Sequence, residues 1–92
     1  MPKHIPIWAA RRFIKSWRNL SASQKHRIGE ILIALPDLRA DPHMHTGFGL
    51  RQLHGTHFHE ARLDLKWRLI FKMSEEEIVL FDVMNHDQVR RL

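Results

Sequence analysis

Arg62, Arg68 and His86 are the side chains in this sequence whose types and spacing are best suited to chemistry on a charged oxygen centre. A guanidinium offers a planar fork of N–H donors that fits phosphate or carboxylate oxygens in pairs, and it stays charged at physiological pH. An imidazole exchanges protons near neutrality. Lys66 adds a cation between the two arginines, and Arg51 and His54 stand just ahead of them in the chain.

These side chains need a scaffold that brings distant positions together. Residues 57–86 supply one. His57 to Leu63 alternates, with Phe58, Glu60 and Arg62 on one face and His59, Ala61 and Leu63 on the other. Trp67 to Met73 alternates as well, with Trp67, Leu69, Phe71 and Met73 facing away from Arg68, Ile70 and Lys72. Ile78 to Met84 is nearly continuous Ile, Val, Leu and Phe, the composition of a strand buried on both faces. The connections at 64–66 and 74–77 are short, so the three runs form an antiparallel meander. Arg62 closes the first strand, Arg68 opens the second and His86 follows the third, so all three meet at one end of the sheet.

The N-terminal half reads differently. Residues 4–8 are β-like, and Pro6 restricts them to an edge strand or an extended arm. From Ala9 the period changes to that of a helix, with Ala10, Phe13, Ile14, Trp17 and Leu20 on one stripe and Arg11, Arg12, Lys15 and Arg18 on the remaining faces. Ser21 to Gln24 has the form of a capping box. Ile28, Ile31, Leu32 and Leu35 continue a second helix until Pro36, and 36–49 reads as a loop. Two antiparallel helices in a hairpin thus cover one face of the sheet. Leu50 and Leu53 anchor the far end of the loop before a turn at Gly55. Residues 86–92 form a short tail or one helical turn.

The 92 residues suffice for one domain, 1–92, with a modest core. The absence of cysteine excludes disulfides, thiolate metal sites and a thiol nucleophile. No run approaches the ~18 apolar residues of a membrane span and the start lacks a signal-peptide core, in keeping with a cytoplasmic protein. Residues 1–40 carry eight Lys or Arg against two carboxylates, whereas 41–92 carry seven against eight. A basic half beside a near-neutral one points to docking on a polyanion, or to a solvated basic face.

The segments LRQLHG, EARLDLKWRLIFKM and IVLFDVMNHDQVRR resemble the RelE/ParE superfamily of toxins from type II toxin-antitoxin systems. The resemblance implies an α+β fold with an N-terminal helix hairpin packed on a small antiparallel sheet. It also implies a ribosome-dependent endoribonuclease that cleaves mRNA by metal-independent attack of the RNA 2′-hydroxyl, inhibiting translation. Such a reaction needs a base for the hydroxyl, cations for the charged phosphorane and an acid for the leaving 5′ oxygen. In this sequence Arg68 matches the family's phosphate-binding arginine, Arg62 and Lys66 match positions that are often basic, and His86 matches a C-terminal histidine of one branch. The RNA-binding set is Arg11, Arg12, Lys15, Arg18, Arg51, His54 and Arg90. Expected partners are a cognate antitoxin, in a toxin-antitoxin hetero-oligomer, together with the ribosome and mRNA. No cofactor is expected.

Other readings stay open. Arg68 could pair with Glu60 or Asp64, and His86 could be a hydrogen-bonded strand end. The chain contains no Tyr, which many family nucleases use near the C-terminus, and Arg51 stands in the region where one branch carries a catalytic Glu. Both departures favour a ParE-like toxin that inhibits DNA gyrase without catalysis; a partner-binding domain without toxicity is the third reading. The pairs His43/His45 and His57/His59 have spacing compatible with Zn²⁺ or Ni²⁺ but lack an accompanying thiolate or carboxylate, so no metal site is assigned. Trp17 and Trp67 are expected in the core, and for Trp8 packing and stacking on a base both stay open.

Overall fold

The computed structural model describes residues 5–40 and 46–92, without the side chains of 37–40 and 46. In chain order the elements are β1 (Ile7–Ala9), α1 (Arg11–Trp17), α2 (Ala22–Ala40), a 3-10 turn (Thr46–Phe48), β2 (Arg51–Gln52), β3 (His59–Arg62), β4 (Trp67–Met73), β5 (Ile78–Asn85) and α3 (His86–Val89). The strands form one sheet in the order β1-β5-β4-β3-β2. The meander expected over residues 57–86 is its centre, since β3, β4 and β5 pair antiparallel in sequence order.

Three expectations are corrected. The sheet is mixed, because β1 pairs parallel with β5, placing Ile7 beside Ile78 and Ala9 beside Leu80. The second helix does not stop at Pro36 but runs through it to Ala40. Pro36 is exposed. On such a face the i−4 hydrogen bond that proline removes can be exchanged for one to solvent, so the ring bends or weakens a helix without having to end it. The first strand of the meander is shorter than 57–63: its ladder spans His59–Arg62, flanked by single bonds from Leu53 N–H to the Phe58 carbonyl and from Leu63 N–H to the Trp67 carbonyl.

Local signals hold where they are strongest. The Ser21 capping box is present, with the Gln24 N–H donating to Ser21 Oγ (3.1 Å) and the Ser21 N–H donating to Gln24 Oε1 (3.0 Å). A second box, not anticipated, starts α3: Asn85 Oδ1 accepts from the Gln88 N–H and Gln88 Oε1 from the Asn85 N–H, each at 2.9 Å. It turns the chain sharply as β5 ends, which fixes where His86 begins.

The core lies on the helix side of the sheet. Phe13 from α1 and Ile28, Ile31 and Leu35 from α2 pack with Leu69, Phe71, Ile78, Leu80 and Val83, and Trp17 and Trp67 border them. The opposite face has a smaller cluster of Leu53, Ile70 and Met84, edged by Phe58, Phe81 and Val89. Strand β5 is thus apolar on both sides, as its composition requires. A shift in register after Ile70 places Asp82 opposite Ile70 and Leu80 opposite Phe71. Asp82 then clasps α1: its Oδ2 accepts from Arg12 Nε (3.2 Å) and Nη2 (3.1 Å), and its Oδ1 from the Ser16 hydroxyl. The Arg12 guanidinium also lies 4.4 Å from the Phe81 ring centre.

The His59 ring stacks on Phe71 at 5.6 Å with Nδ1 buried and unpartnered. Burial pushes its pKa below the ordinary 6.5. The folded state therefore takes up fewer protons than the unfolded chain as pH falls through that value, so stability present above it is lost below it. Thermal melts of the wild type are expected to drop in midpoint from neutral pH into the mildly acidic range, and His59→Leu should flatten that slope.

Candidate active site

The β3–β4 turn stages Arg68. Asp64 Oδ1 accepts from the backbone N–H of Lys66 (2.9 Å) and Trp67 (2.8 Å), and Oδ2 accepts from Gln24 Nε2 (3.1 Å) of α2. Burial alone would raise the Asp64 carboxyl, but the Trp67 and Lys66 N–H groups, the Gln24 amide and the Arg68 charge outweigh it and hold the pKa below the ordinary value. Arg68 leaves this turn with Nη1 donating to the carbonyls of Asp64 (2.8 Å) and Trp67 (3.1 Å). Of the two partners weighed for Arg68, Asp64 bonds it through its backbone carbonyl, and the Glu60 carboxylate accepts from Arg51.

Arg68 stands directly opposite Arg62 on β3 and Met84 on β5. Paired residues on antiparallel neighbours share a face, and like charges placed opposite one another repel. Neither arginine has a carboxylate within ion-pair distance among the described residues. An anion bound between them would relieve the repulsion. His86, the first residue of α3, borders the same cavity of about 330 Å³, together with Gly49, Leu50, Arg51 and Glu60.

Gly49 explains how the chain comes so near Arg62. Its φ is +59°, and a Cβ placed there would stand 3.3 Å from Arg62 Cβ and 3.5 Å from Nε. Any larger residue would be strained and would crowd the guanidinium.

The structure thus brings together Arg62, Arg68, His86 and Arg51. Lys66 lies outside the cavity, exposed, with Nζ 5.5 Å from the Trp67 ring centre. His54 is exposed beside the turn at Gly55 and does not line it. Arg11 and Lys15 are exposed on α1, Arg18 follows its last turn and Arg90 follows α3. Arg12 is engaged by Asp82. His43 and His45 lie outside the described residues, and no group of three or more potential metal ligands occurs among the described ones.

Glu60 was not anticipated as part of the site. Strand alternation already put it on the face of Arg62, and the missing signal was its partner, because the two-residue strand carrying Arg51 is too short to show a period.

No protein-family model matches the chain, and no curated protein does. Solved structures do. The Escherichia coli DinJ–YafQ toxin–antitoxin complex contains a chain that matches with a TM-score of 0.70 at 16% identity, over 91% of this chain and 94% of that one. The archaeal RelE–RelB complex from Pyrococcus horikoshii OT3 matches at 0.67 and 19% identity, over 88% and 93%. The YoeB dimer from Staphylococcus aureus matches at 0.69 and 14% identity, over 89% and 97%. Likeness over nearly the whole of each chain, at identities this low, is likeness of architecture: the chain has the fold of the toxins YafQ, RelE and YoeB.

Proposed function

We propose that this chain is the toxin of a toxin–antitoxin pair and acts as a ribosome-dependent endoribonuclease on messenger RNA. The observation that carries the reading is the cavity that Arg62, Arg68 and His86 share at one end of the sheet. Arg68 and Arg62 bind the scissile phosphate and stabilise the extra charge of the phosphorane, and His86 transfers a proton. Lys66 contacts the message at the rim. Arg11, Lys15 and Arg18 hold ribosomal RNA through a salt-sensitive interaction, Arg51, His54 and Arg90 contribute further RNA contacts, and Arg12 does so only with the part of its guanidinium that Asp82 leaves exposed. An antitoxin would cover this basic surface, in line with the toxin–antitoxin and RelE–RelB complexes that share the fold.

The test is induced expression of wild type and His86→Ala, with primer extension on translated messages. New 5′ ends are expected in the wild type and at least tenfold fewer in the variant. Growth arrest without new ends, accompanied by loss of DNA supercoiling, would replace this reading with gyrase inhibition. That alternative draws support from the chain's lack of Tyr. No growth arrest at all would leave a partner-binding domain.

A further inference from the structure

Glu60 is 5% exposed and, among the described residues, is the sole carboxylate lining a cavity that three arginines and a histidine also border. Its Oε1 accepts from Arg51 Nε, directly across from it on β2. Its Oε2 accepts no hydrogen bond among the described residues. That oxygen is nevertheless not sealed, because His59 Nδ1 is the only fully buried, unpartnered side-chain N or O atom among them. It therefore keeps some accessible surface, and Glu60 lines the cavity.

A carboxylate in this position is costly to the fold. Its neighbour on the other side is Ile70, fully buried, and an apolar residue at 60 would continue the small cluster of Leu53, Ile70 and Met84. The Arg51 side chain of the pair is 66% exposed, and ion pairs open to solvent contribute little to stability, so stability does not account for Glu60. Its placement does: it lies two residues before Arg62 on the same face, roughly 6–7 Å along the strand, within reach of a sugar whose phosphate is held by Arg62 and Arg68.

We infer that Glu60 is the general base of the cleavage reaction, with Arg51 as the positioning residue that orients its carboxylate; the inference rests on the ribonuclease reading above. Glu60 takes the proton of the 2′-hydroxyl as that oxygen bonds to phosphorus. The bond from phosphorus to the 5′ oxygen breaks, and the 5′ oxygen takes a proton from the His86 imidazolium. The products are a 2′,3′-cyclic phosphate and a 5′-hydroxyl, with one proton gained by Glu60 and one lost by His86.

The experiment is single-turnover cleavage of an mRNA on programmed ribosomes across pH, for wild type, Glu60→Gln and Arg51→Gln. Glu60→Gln is expected to lower the rate by about 10²–10⁴-fold, and Arg51→Gln by clearly less. The wild-type rate should rise tenfold per pH unit at the acid end, and this limb should disappear in Glu60→Gln and persist in Arg51→Gln. Equal losses in both variants with unchanged pH profiles would mean that the pair only supports the sheet, overturning the inference while leaving the nuclease intact. Should Glu60→Gln fail to fold, the wild-type profile decides alone: a rate that does not fall toward acid pH removes Glu60 as base. A wild type that cuts nothing on the ribosome overturns the nuclease reading and this inference with it.

Discussion

Arg68→Ala should cut messages on the ribosome about 10²–10³-fold more slowly than the wild type, the loss measured when one preorganised donor to a developing oxyanion is removed. The physical case rests on how the side chain is held. Two backbone carbonyls at 2.8 and 3.1 Å fix one end of the fork, and no carboxylate among the described residues lies within ion-pair distance of it. If Arg68 binds the scissile phosphate as proposed, the guanidinium meets it without reorganising. Arg68→Lys keeps the charge but loses the planar fork, and is expected to recover only part of the rate. Both variants should melt within a few degrees of the wild type, because Arg68 lies at the end of its strand and bonds only to its own turn. Rates for Arg68→Ala within threefold of wild type would remove Arg68 from the phosphate site.

Phe71→Ala is expected to destabilise the protein by about 3–5 kcal/mol, through lost transfer energy and the cavity left behind. Phe71 is fully buried at the centre of the sheet, between the helices and the stacked ring of His59. At roughly 4–8 °C per kcal/mol for a domain of this size, the melting midpoint should fall by more than about 10 °C. Chemical denaturation followed by circular dichroism measures it. A loss below about 1.5 kcal/mol would mean that α1 and α2 close onto the vacated space, which a close-packed interior resists.

The two side chains differ in how readily they are found. Both alternations in residues 57–73 are visible in the sequence, so the faces of Phe71 and Arg68 follow from counting by twos, and the short turns make Arg62, Arg68 and His86 converge. What escaped detection depends on distance or brevity. The parallel pairing of Ile7 with Ile78 joins segments far apart in the chain, and periodicity is a local property. The Arg51–Glu60 pair was hidden by a two-residue strand. Pro36 misled for another reason: a proline reports the loss of one N–H, and whether a helix survives that depends on which side faces solvent.

The β1–β5 pairing also bears on the order in which the molecule assembles. Its partners lie about 70 residues apart in sequence, whereas β3, β4 and β5 follow one another through short turns. Closing the long loop carries the greater entropic cost, so the meander is expected to nucleate first and β1, with the α1 clasp on Asp82, to dock onto it last. The same asymmetry holds in the native state, where β1 is three residues long and exposed throughout. Fraying would start at that edge, and transient release of the basic helix would leave the end of the sheet that holds Arg62, Arg68 and His86 intact.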